Sequence, residues 1–440
     1  MEKIVSLAKR RGFVFPGSEI YGGLAGTYDY GPLGVVLKEN VERLWLQMFR
    51  DDRDDMYGVD AAILMNPKVW EASGHVAGFS DPLIECLSCH SRFRADQIGW
   101  TDSDNQMAGV TCPKCGKSQW SEMKKFNMMF KTHAGAAEDE SAAVYLRPET
   151  AGGIFTNFKN VMDSMHPKLP FGIAQIGKAF RNEIAPRDFL FRVRELEQME
   201  VEYFVRPSEW EKAFEEWRKL VFAFTDAVGI SRGAVHELEV PDGERAHYSK
   251  RTIDFEFDFP FGRKELCGLA YRTDFDLSAH AKASGATLSI VDKEGEAPIV
   301  PHCIEPSFGI ERTVLALLVS AYTEDTLGGE TRTYLKFNPD VAPIKAAVFP
   351  LLKNKPELVA KAREIYTALK KDVPQILWDD NGNIGKRYRR QDEIGTPACI
   401  TIDFQTLEDG TVTVRDRDTG TQERRSISAL RGIIAPHTGL

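Results

Sequence analysis

The alternation of hydrophobic and polar residues predicts both helices and strands in this chain. Ile4, Leu7 and Ala8 lie at helical spacing and predict a short amphipathic helix at the N-terminus. Residues 253–259, IDFEFDF, alternate strictly between apolar and acidic side chains, which predicts a strand with one acidic face. The glycine-rich residues 17–34 are expected to form a long loop.

The order of the predicted elements divides the chain into regions. Up to about residue 338, antiparallel strand pairs mix with helices, which is typical of the α+β class. The sequence KFNPDVAP then predicts a linker, and the strands and helices that follow it predict a small α/β domain. The predicted regions are a first core segment at 1–82, an insertion at 83–125, a second core segment at 126–338 and a C-terminal domain at 341–440.

The charge balance and the N-terminus limit the classes of function and location. The formal net charge of −9 at pH 7 does not favour a nucleic-acid binder, although an acidic protein can still carry a basic patch. No segment reaches the roughly 18 apolar residues of a membrane span. The N-terminal MEKIVSLAKRRGF becomes charged too early for a secretory signal. We therefore expect a cytoplasmic protein with no membrane association.

Four of the seven cysteines form two closely spaced pairs. Two residues separate Cys86 from Cys89 and Cys112 from Cys115, and 22 residues lie between the pairs. Without a secretory signal such pairs indicate a metal site, and four thiolates suit tetrahedral zinc. The alternative is four free thiols. A closed four-sulfur site has no open position, so we predict a structural zinc ion that takes no part in chemistry.

Arginines and carboxylates alternate along two predicted strands in the middle of the chain. Arg181 and Glu183 are expected on one face at the end of the first strand. The second strand is predicted at residues 191–205, where the even positions from 192 to 202 are mostly polar. The loop IAPRDFL would join the two strands into a hairpin with a charged floor. The alternative is an ordinary solvated sheet face held by cross-strand ion pairs.

A similar combination of charges occurs further along the chain. Glu305 and Ser307 are expected on one face of a strand, and Arg312 lies in the first turn of the apolar helix that follows. Guanidinium groups bind phosphate oxygens bidentately, and clustered carboxylates suit an ammonium group or Mg²⁺. Together these residues indicate a site for a nucleotide, a metal ion and an amine.

These motifs resemble those of a known family, the class II aminoacyl-tRNA synthetases. The helix and strand that end at Pro67 resemble motif 1 of the family, which builds the dimer interface. FRNE with FRVREL resembles motif 2, and EPSFGIER resembles motif 3. YGGLAGTYDYGPLG, LRPET, FNMMF and EPSFG are similar to the homodimeric glycyl-tRNA synthetases in particular. The likeness covers nearly the whole chain.

The resemblance implies a fold, an activity and partners. The fold would be α+β, with the antiparallel-sheet catalytic core of class II synthetases, a zinc-binding insertion and a C-terminal α/β anticodon-binding domain. The activity would be ATP-dependent activation of glycine to glycyl-adenylate, with release of pyrophosphate, followed by transfer of glycine to the 3′ end of tRNA(Gly). The implied cofactors are Mg²⁺ with ATP and a structural Zn²⁺, and the implied assembly is a homodimer.

The resemblance also assigns roles to individual residues. Arg181 resembles the arginine that binds the α-phosphate and the amino-acid carboxylate, Glu183 its partner near the adenine, and Arg312 the arginine over the adenine. These three are the implied catalytic residues. Arg192 resembles the γ-phosphate ligand, and Glu265 resembles the carboxylate that holds Mg²⁺ with ATP. The implied ATP-binding set is Arg181, Asn182, Glu183, Phe191, Arg192, Val193, Arg194, Glu195, Leu196, Glu265, Leu266, Gly309, Ile310, Glu311 and Arg312. The implied glycine-binding set is Arg94, Glu149, Glu197, Gln198, Met199, Glu200, Glu305, Pro306, Ser307, Phe308 and Gly309.

Two positions depart from the family pattern, and three other functions remain open. Leu196 stands where the family has a phenylalanine that stacks on adenine, and Gly152 stands where it has a glutamine. The other functions are a synthetase-like protein without catalysis, a class II synthetase for another amino acid, and a zinc-ribbon nucleic-acid-binding module. The charged residues named above argue against the first, and EPSFG with the three-carboxylate pocket argues against the second. The third explains only the insertion.

Overall fold

The computed structural model describes residues 1–99, 109–136, 138–291 and 297–434. Residues 100–108 of the predicted insertion and 435–440 of the predicted C-terminal domain lie outside the described residues. The helices are α1 Glu2–Arg10, α2 Pro32–Leu46, α3 Lys68–Ala72, α4 His75–Gly78, α5 Ala151–Met165, α6 Trp210–Val228, α7 Phe275–Ser284, α8 Ile310–Ala321, α9 Pro356–Asp372, α10 Ile384–Ile394, α11 Phe404–Asp409 and α12 Leu430–Ile434. None of these helices, within the described ranges, has the length and apolar character that crossing a membrane requires.

Most of the strands are short, and the longest lie in the middle of the chain. The strands are β1 Val14–Pro16, β2 Tyr28–Tyr30, β3 Met56–Gly58, β4 Ser80–Glu85, β5 Arg92–Arg94, β6 Lys124–Asn127, β7 Lys131–His133, β8 Ala143–Tyr145, β9 Phe171–Phe180, β10 Glu195–Val205, β11 Val235–Glu239, β12 Arg251–Phe259, β13 Gly262–Thr273, β14 His302–Gly309, β15 Tyr322–Leu327, β16 Glu330–Leu335, β17 Ala346–Pro350, β18 Ile376–Trp378, β19 Ala398–Ile402, β20 Thr411–Asp416 and β21 Gln422–Ser426.

A seven-stranded sheet forms the centre of the larger part of the molecule. Its strands lie in the order β11-β12-β13-β14-β10-β9-β3, and every neighbouring pair is antiparallel except β3 with β9. β10 pairs with β9 on one side and with β14 on the other, so Glu200 lies between Gln175 and Ser307. This antiparallel sheet, with helices packed against it, confirms the predicted α+β class.

The alternation of side chains along β10 and β14 decides which residues enter the core. Trp45 of α2 and Phe49 just beyond it contact Phe308 of β14, and Phe49 stacks on Trp217 of α6 with ring centroids 5.6 Å apart. These rings belong to the largest apolar cluster of the protein. Because neighbouring residues of a strand point to opposite faces, Ser307 and Gly309 are left on the other side of the sheet.

Three element boundaries differ from the sequence predictions. β9 ends at Phe180, so Arg181 and Glu183 lie in the following loop rather than on the strand. β10 begins at Glu195 instead of residue 191, because residues 189–191 form a short 3-10 helix. Residues 17–34 are only partly a loop, since β2 pairs with β1 and α2 already begins at Pro32.

A small three-stranded sheet, in the order β5-β4-β6, carries the paired cysteines. Phe93 of β5 and Trp120 contact each other edge to face with ring centroids 5.7 Å apart, and Trp120 also pairs with Cys86. Apart from Cys86 and Cys112, the described part of this insertion buries few apolar side chains, notably Ile84. The insertion therefore has little hydrophobic core of its own, which is typical of regions stabilised by a metal.

The C-terminal region folds around a five-stranded sheet. Its strands lie in the order β18-β17-β19-β20-β21, and β17 is parallel to both of its neighbours. The predicted strands and helices are confirmed, with α9 connecting β17 to β18 and α10 preceding β19. Ile365, Ile400 and Val412 lie in an apolar cluster that belongs to this region alone.

Buried polar contacts join the C-terminal region to the rest of the molecule. Arg332 of β16 is buried and pairs with Asp325 at 2.7 Å and with Asp392 of α10 at 3.3 Å. Asp392 also pairs with Arg415 at 2.7 Å. On another side, the Asn40 amide of α2 donates hydrogen bonds of 3.1 Å to two carbonyl oxygens of the predicted linker. The two regions are therefore held together by more than the linker.

Candidate functional site

Two adjoining cavities open where β10, β13 and β14 meet the loop that follows β9. The first, here called the arginine cavity, has a volume of about 280 Å³ and is lined by Arg94, Met128, Arg181, Glu183, Leu190, Phe191, Arg192, Val193, Leu196, Gln198, Glu265, Leu266, Cys267, Ser307, Gly309, Glu311 and Arg312. The second, here called the carboxylate cavity, has a volume of about 290 Å³ and is lined by Glu149, Arg181, Gln198, Glu200, Val240, Glu244, Arg245, Ala246, Tyr248, Thr252, Asp254, Glu265, Gly268, Leu269, Ala270, Glu305 and Ser307. The residues that line both cavities are Arg181, Gln198, Glu265 and Ser307.

Arg181 lies at the boundary between the two cavities. Its Nε donates a hydrogen bond of 3.1 Å to the carbonyl oxygen of Pro148, and its guanidinium lies 5.6 Å from the centre of the Phe79 ring. Within the described residues, no hydrogen bond uses its two terminal nitrogens. Arg181 is thus oriented by the protein while two donor groups remain available for a ligand.

Two ion pairs cross the arginine cavity. Arg312 of α8 pairs with Glu265 of β13 at 2.9 Å, and Arg192 lies 3.5 Å from Glu183. The Arg312 charge, working against burial, lowers the pKa of Glu265 and keeps this carboxyl ionised. Each of these charged groups has a partner that a phosphate or a cation can replace.

The apolar part of the arginine cavity contains Phe191 and Leu196. The Arg312 guanidinium lies 4.7 Å from the centre of the Phe191 ring. Leu196 lines the cavity at the position where the resemblance implies a stacking ring. A flat ligand therefore meets an aliphatic side chain there, which offers apolar contact but no ring for stacking.

The second departure from the family pattern, Gly152, also has a structural reason. Gly152 lies in the first turn of α5, just after Glu149, and a Cβ atom there would lie 2.9 Å from the buried ring of Trp70. A larger residue at position 152 would require Trp70 to move. The glycine and the tryptophan ring therefore fit as a pair.

Arg94 reaches the arginine cavity from the insertion. Its guanidinium pairs with Asp81 at 2.7 Å and with Asp96 at 2.7 Å. The resemblance places Arg94 in the glycine-binding set, whereas in the structure it lines the arginine cavity and not the carboxylate cavity. Because Asp81 and Arg94 lie on β4 and β5, the sheet of the insertion is connected directly to this cavity.

Glu200 of β10 is the most completely bonded acid of the carboxylate cavity. Gln198 and Ser307 each donate a side-chain hydrogen bond of 2.7 Å to one carboxylate oxygen. The other oxygen accepts from the backbone N–H of Thr150 at 3.1 Å and from its hydroxyl. Burial and the charge of Glu149 raise the pKa of Glu200, and the hydroxyls of Thr150 and Ser307 oppose that rise.

Glu149 and Glu305 are each tied to a cationic or polar side chain behind the cavity. His75 of α4 places Nε2 3.3 Å from Glu149, and Arg272 of β13 places a terminal nitrogen 2.8 Å from Glu305. Arg272 is buried and also pairs with Asp276 of α7 at 2.8 Å. Burial, together with Glu200 and Glu149 and against Arg272, raises the pKa of Glu305 to about 8.

His75 and Arg272 were not identified from the sequence. His75 is far along the chain from Glu149, Arg272 is far along the chain from Glu305, and neither belongs to one of the motifs named above. Asp254 was recognised only as part of an acidic strand face, yet it lines the carboxylate cavity. Burial, with the nearby Glu265 and Glu256, raises the pKa of Asp254 to about 7. Only the folded chain brings these groups together.

Some residues of the two implied sets contribute no side chain to the cavities, as far as the structure describes the chain. Met199 and Phe308 lie in the apolar core, and Glu197 pairs with Lys38 at 2.8 Å on the opposite face of the sheet. The strand alternation explains these placements, because the neighbours of an inward-facing residue point outward. The remaining residues that line neither cavity are Asn182, Arg194, Glu195, Pro306 and Ile310.

Two charged residues of the implied ATP-binding set stabilise the scaffold. Arg194 donates hydrogen bonds to the carbonyl oxygens of Glu183 at 3.0 Å and Ala25 at 2.6 Å, which joins two loops. Glu311 borders the arginine cavity, but its carboxylate accepts a hydrogen bond of 2.9 Å from the backbone N–H of Glu197. Burial raises the pKa of Glu311 to about 7. These two side chains therefore already have bonding partners within the protein.

The four paired cysteines come together in the insertion. The sulfur atoms of Cys86, Cys89, Cys112 and Cys115 all lie within 4.8 Å of one another. Four thiolates at such distances fit the tetrahedral geometry of a zinc ion. The remaining cysteines, at 267, 303 and 399, are buried and separate from this cluster.

Comparisons with known proteins agree on the two main regions. Residues 130–321 match the family model of the tRNA synthetase class II core domain for G, H, P, S and T. Residues 345–436 match the model of the anticodon binding domain. The first match contains nearly all residues of the two cavities, and the second covers the C-terminal sheet.

Several curated proteins are similar to this chain over nearly its whole length. Glycine–tRNA ligase of Caldanaerobacter subterraneus is 50% identical, with 98% of this chain and 96% of the relative covered. The protein of that name from Lachnospira eligens is 51% identical, with 98% and 97% covered. That from Lysinibacillus sphaericus is 49% identical, with 99% and 98% covered.

A solved structure has the same fold at low sequence identity. Prolyl-tRNA synthetase of Giardia lamblia, in complex with prolyl-adenylate, matches with a TM-score of 0.69 and 16% identity. The match covers 97% of this chain and 75% of that protein. At this identity the likeness concerns the fold alone.

Proposed function

Because the chain belongs to the glycine–tRNA ligases of the class II aminoacyl-tRNA synthetases, we propose that its two adjoining cavities are the place where glycine reacts with ATP. As a member of that family, the protein is an ATP-dependent ligase that joins glycine to tRNA. In our proposal the arginine cavity holds ATP and the carboxylate cavity holds glycine.

The observation that carries this proposal is the shared boundary of the cavities at Arg181. A carboxylate oxygen of glycine attacks the α-phosphorus of ATP, the bond from that phosphorus to the pyrophosphate oxygen breaks, and glycyl-adenylate and pyrophosphate are formed. The unused terminal nitrogens of Arg181 neutralise the charge that grows on the α-phosphoryl oxygens. The step needs no protein nucleophile, because positioning and electrostatic stabilisation are sufficient for phosphoryl chemistry.

The ion pairs of the arginine cavity support its assignment to ATP. Arg192, only loosely paired with Glu183, takes the γ-phosphate, and Arg312 moves from Glu265 to the face of the adenine. Leu196 supplies apolar contact on the adenine side. An arginine that is always charged and only partly exposed exchanges a carboxylate for a phosphate at little cost.

The acids beside Arg312 also fit a magnesium ion. Glu265 and Asp254 supply carboxylate oxygens, the ligand type that Mg²⁺ prefers. Burial, followed by the charge of Glu265, raises the pKa of Asp254. When bound with ATP, Mg²⁺ neutralises negative charge on the phosphate oxygens. Glu265 is the residue that we propose to hold it.

The carboxylate cavity suits an amino acid that has no side chain. Glu149, Glu200 and Glu305 surround the ammonium group, Arg181 takes the carboxylate, and Ser307 closes the wall. Glu200 is held by four donor groups, so this wall cannot move easily to admit a larger residue. Overlap in a rigid pocket is penalised steeply, so alanine is rejected without a separate editing site.

In the second step, tRNA contacts the protein at two separate places, one at the adenylate and one in the C-terminal region. A terminal ribose hydroxyl of tRNA(Gly) attacks the carbonyl carbon of the adenylate, and AMP leaves. At the other end we propose that α10 contacts the anticodon, because Lys386 and Arg389 line a basic cleft of about 640 Å³ together with Arg11. Arg387, also on α10, is buried and donates hydrogen bonds to carbonyl oxygens, so it serves the fold instead.

Three finer assignments complete the proposal. Cys86, Cys89, Cys112 and Cys115 hold one zinc ion that stabilises the insertion. Two copies of the chain form a homodimer, in which exposed apolar side chains near α2, such as Tyr21 and Val35, become covered. The reduced cysteine pairs and the role in translation suit a cytoplasmic location.

Amino-acid-dependent exchange of labelled pyrophosphate into ATP tests the proposed reaction. The purified protein is given glycine, alanine, serine and proline in parallel, with and without Mg²⁺. We expect exchange with glycine in the presence of Mg²⁺, and exchange with alanine lower by more than about a hundredfold. Comparable rates with alanine would refute the glycine pocket. Absence of exchange with every amino acid would refute activation in these cavities.

A further inference from the structure

A buried histidine lies behind the carboxylate cavity and has no role in the reaction proposed above. The Nε2 atom of His75 lies 3.3 Å from a carboxylate oxygen of Glu149, and its Nδ1 lies 2.8 Å from the hydroxyl oxygen of Ser73. The rings of Trp70 and Phe79 enclose it, each with its centroid 5.5 Å away. His75 is therefore held in one orientation, with a nitrogen facing each polar partner.

We propose that His75 is a positioning residue for glycine, which donates a hydrogen bond from Nε2 to Glu149 and so fixes the carboxylate that receives the ammonium group. This inference rests on the proposed role of Glu149. It adds to that role a residue outside both cavities, on a short helix that precedes the insertion.

The hydrogen-bonding pattern leaves one direction for this bond. An ionised carboxylate can only accept, so Nε2 must carry the proton that lies between His75 and Glu149. In a neutral ring Nδ1 then accepts the hydroxyl proton of Ser73. In a charged ring Nδ1 donates to that oxygen instead, and the hydroxyl proton turns towards the Trp70 carbonyl oxygen at 3.4 Å. Both forms keep Nε2–H directed at Glu149.

Glu149 depends on a single polar neighbour, as Glu305 does, whereas Glu200 does not. Within the described chain, His75 is the one side chain that forms a hydrogen bond or ion pair with the Glu149 carboxylate, and Arg272 is its counterpart at Glu305, while Glu200 has four donor groups. Burial opposes the ionisation of Glu149, but His75, followed by the more distant Arg272 and Arg181, lowers its pKa to about 2. Without His75, a buried carboxylate would lose its hydrogen bond and its fixed direction.

Steady-state pyrophosphate exchange on His75 variants tests the proposal, with glycine and ATP varied separately. His75→Leu should raise the KM for glycine by about tenfold to a hundredfold, the usual effect of losing a hydrogen bond to a charged group. The KM for ATP should stay within about twofold. His75→Gln, whose amide can donate to the same oxygen, should restore most of the loss.

A matched control uses a partly buried histidine that also has a hydroxyl partner. His302 accepts or donates a hydrogen bond of 2.5 Å with Tyr271 and lines neither cavity, so His302→Leu should leave both KM values unchanged. Equal rises in the two KM values for His75→Leu would indicate a general structural defect and overturn the proposal. A glutamine variant as impaired as the leucine variant would overturn it as well.

A double-mutant cycle separates this proposal from the assignment of the pocket. In a Glu149→Gln background, His75→Leu should add less than about threefold, because contacting residues are not additive. An undiminished effect of His75→Leu there means that His75 does not act through Glu149. A normal glycine KM in Glu149→Gln alone refutes the role of Glu149 itself. If His75→Leu fails to fold, Ser73→Ala decides, since its glycine KM should rise by about threefold and an unchanged value overturns the proposal.

Discussion

The two cavities use the same kinds of side chain in opposite ways. In the arginine cavity the charged groups pair with one another across the open space, as Arg312 does with Glu265 at 2.9 Å. In the carboxylate cavity the acids are tied to groups behind the wall, as Glu305 is to the buried Arg272 at 2.8 Å. The arginine cavity is thus crossed by ion pairs that a ligand can replace. In the carboxylate cavity the acids are already held in place before a ligand binds.

The difference follows from what each proposed ligand brings. ATP carries several charges and a metal ion, so it can replace ion pairs that are partly exposed and worth only about 0–1 kcal/mol. Glycine brings two charged ends and no side chain, so its acceptors must already be oriented and desolvated when it arrives. Glycine, the smaller ligand, therefore needs more supporting residues behind its cavity than ATP does.

The largest effect is expected from an acid of the fixed cavity. Glu200→Gln should raise the glycine KM and lower kcat/KM by about tenfold to a hundredfold, because a charge is lost from a desolvated ammonium contact. The matched control is Glu197→Gln, three residues earlier and on the opposite face, where the partner is Lys38. Pyrophosphate exchange measures both variants. If they behave alike, the fixed cavity does not bind glycine as proposed.

Breaking the four-cysteine cluster should disturb the arginine cavity and spare the carboxylate cavity. Cys112→Ser should lose the one zinc ion per chain and raise the ATP KM by about tenfold, since Arg94 is carried by the sheet of the insertion. The glycine KM and the melting temperature of the main core should change little. Elemental analysis checks the metal, with Cys399→Ser as the control that keeps it. Zinc-free wild-type protein would refute the site.

The pH dependence of glycine binding should reveal the fixed acids. Burial and its acidic neighbours raise the pKa of Glu305 to about 8, so in the free protein this carboxyl titrates near neutral pH. An ammonium group favours the ionised form, so binding below pH 8 releases a proton. The glycine KM should therefore fall as pH rises from 6 to 8, by at most about tenfold per unit. Calorimetry in buffers of different ionisation enthalpy counts the proton, and a flat profile would contradict the prediction.

Substitutions on α10 should change neither glycine binding nor ATP binding in the two cavities. Combining Lys386→Ala with Arg389→Ala should raise the KM for tRNA by about tenfold at most, the effect of losing two exposed cationic contacts. Pyrophosphate exchange, which needs no tRNA, should be unchanged. Lys371→Ala on α9 is the control, because that lysine is exposed but lies outside the cleft. Aminoacylation equal to wild type in the double variant would refute the anticodon contact.

The smallest effect is expected within the arginine cavity. Leu196→Phe should lower the ATP KM by less than about tenfold, since base–aromatic stacking is worth about 1–3 kcal/mol and leucine already supplies part of that contact. The glycine KM should stay constant. A higher ATP KM would mean that the cavity is shaped around leucine and that a ring overpacks it.

The fold could largely be predicted from the sequence because its signals are local. The strict alternation of residues 253–259 appears as β12, and the apolar spacing near the N-terminus appears as α1 with Ile4, Leu7 and Ala8 buried. Boundaries were less predictable. Arg181 lies just beyond the end of β9, although its backbone N–H still donates to the carbonyl oxygen of Arg194 in the register of the β9–β10 pair, and no periodicity indicates where that pairing stops.

Residues of the candidate site that share a strand face could be predicted from the sequence. Residues that reach the site from other parts of the chain could not. Alternation places Gln198 and Glu200 in the cavities, and the same alternation excludes Met199, which the resemblance had included. His75 and Arg272 could not be found in this way. Each acts on an acid from a different part of the chain, and such a contact depends on the completed tertiary structure.

The buried ions between the catalytic region and the C-terminal region have a further consequence. Separating the two would expose Arg332 and leave Asp392 with one cation fewer, and breaking a buried ion pair costs about 3–5 kcal/mol. These buried ion pairs therefore hold the cavities and α10 at a constant distance from each other. In the proposed complex a tRNA bridges that distance with both of its ends at once, so its overall dimensions contribute to its selection.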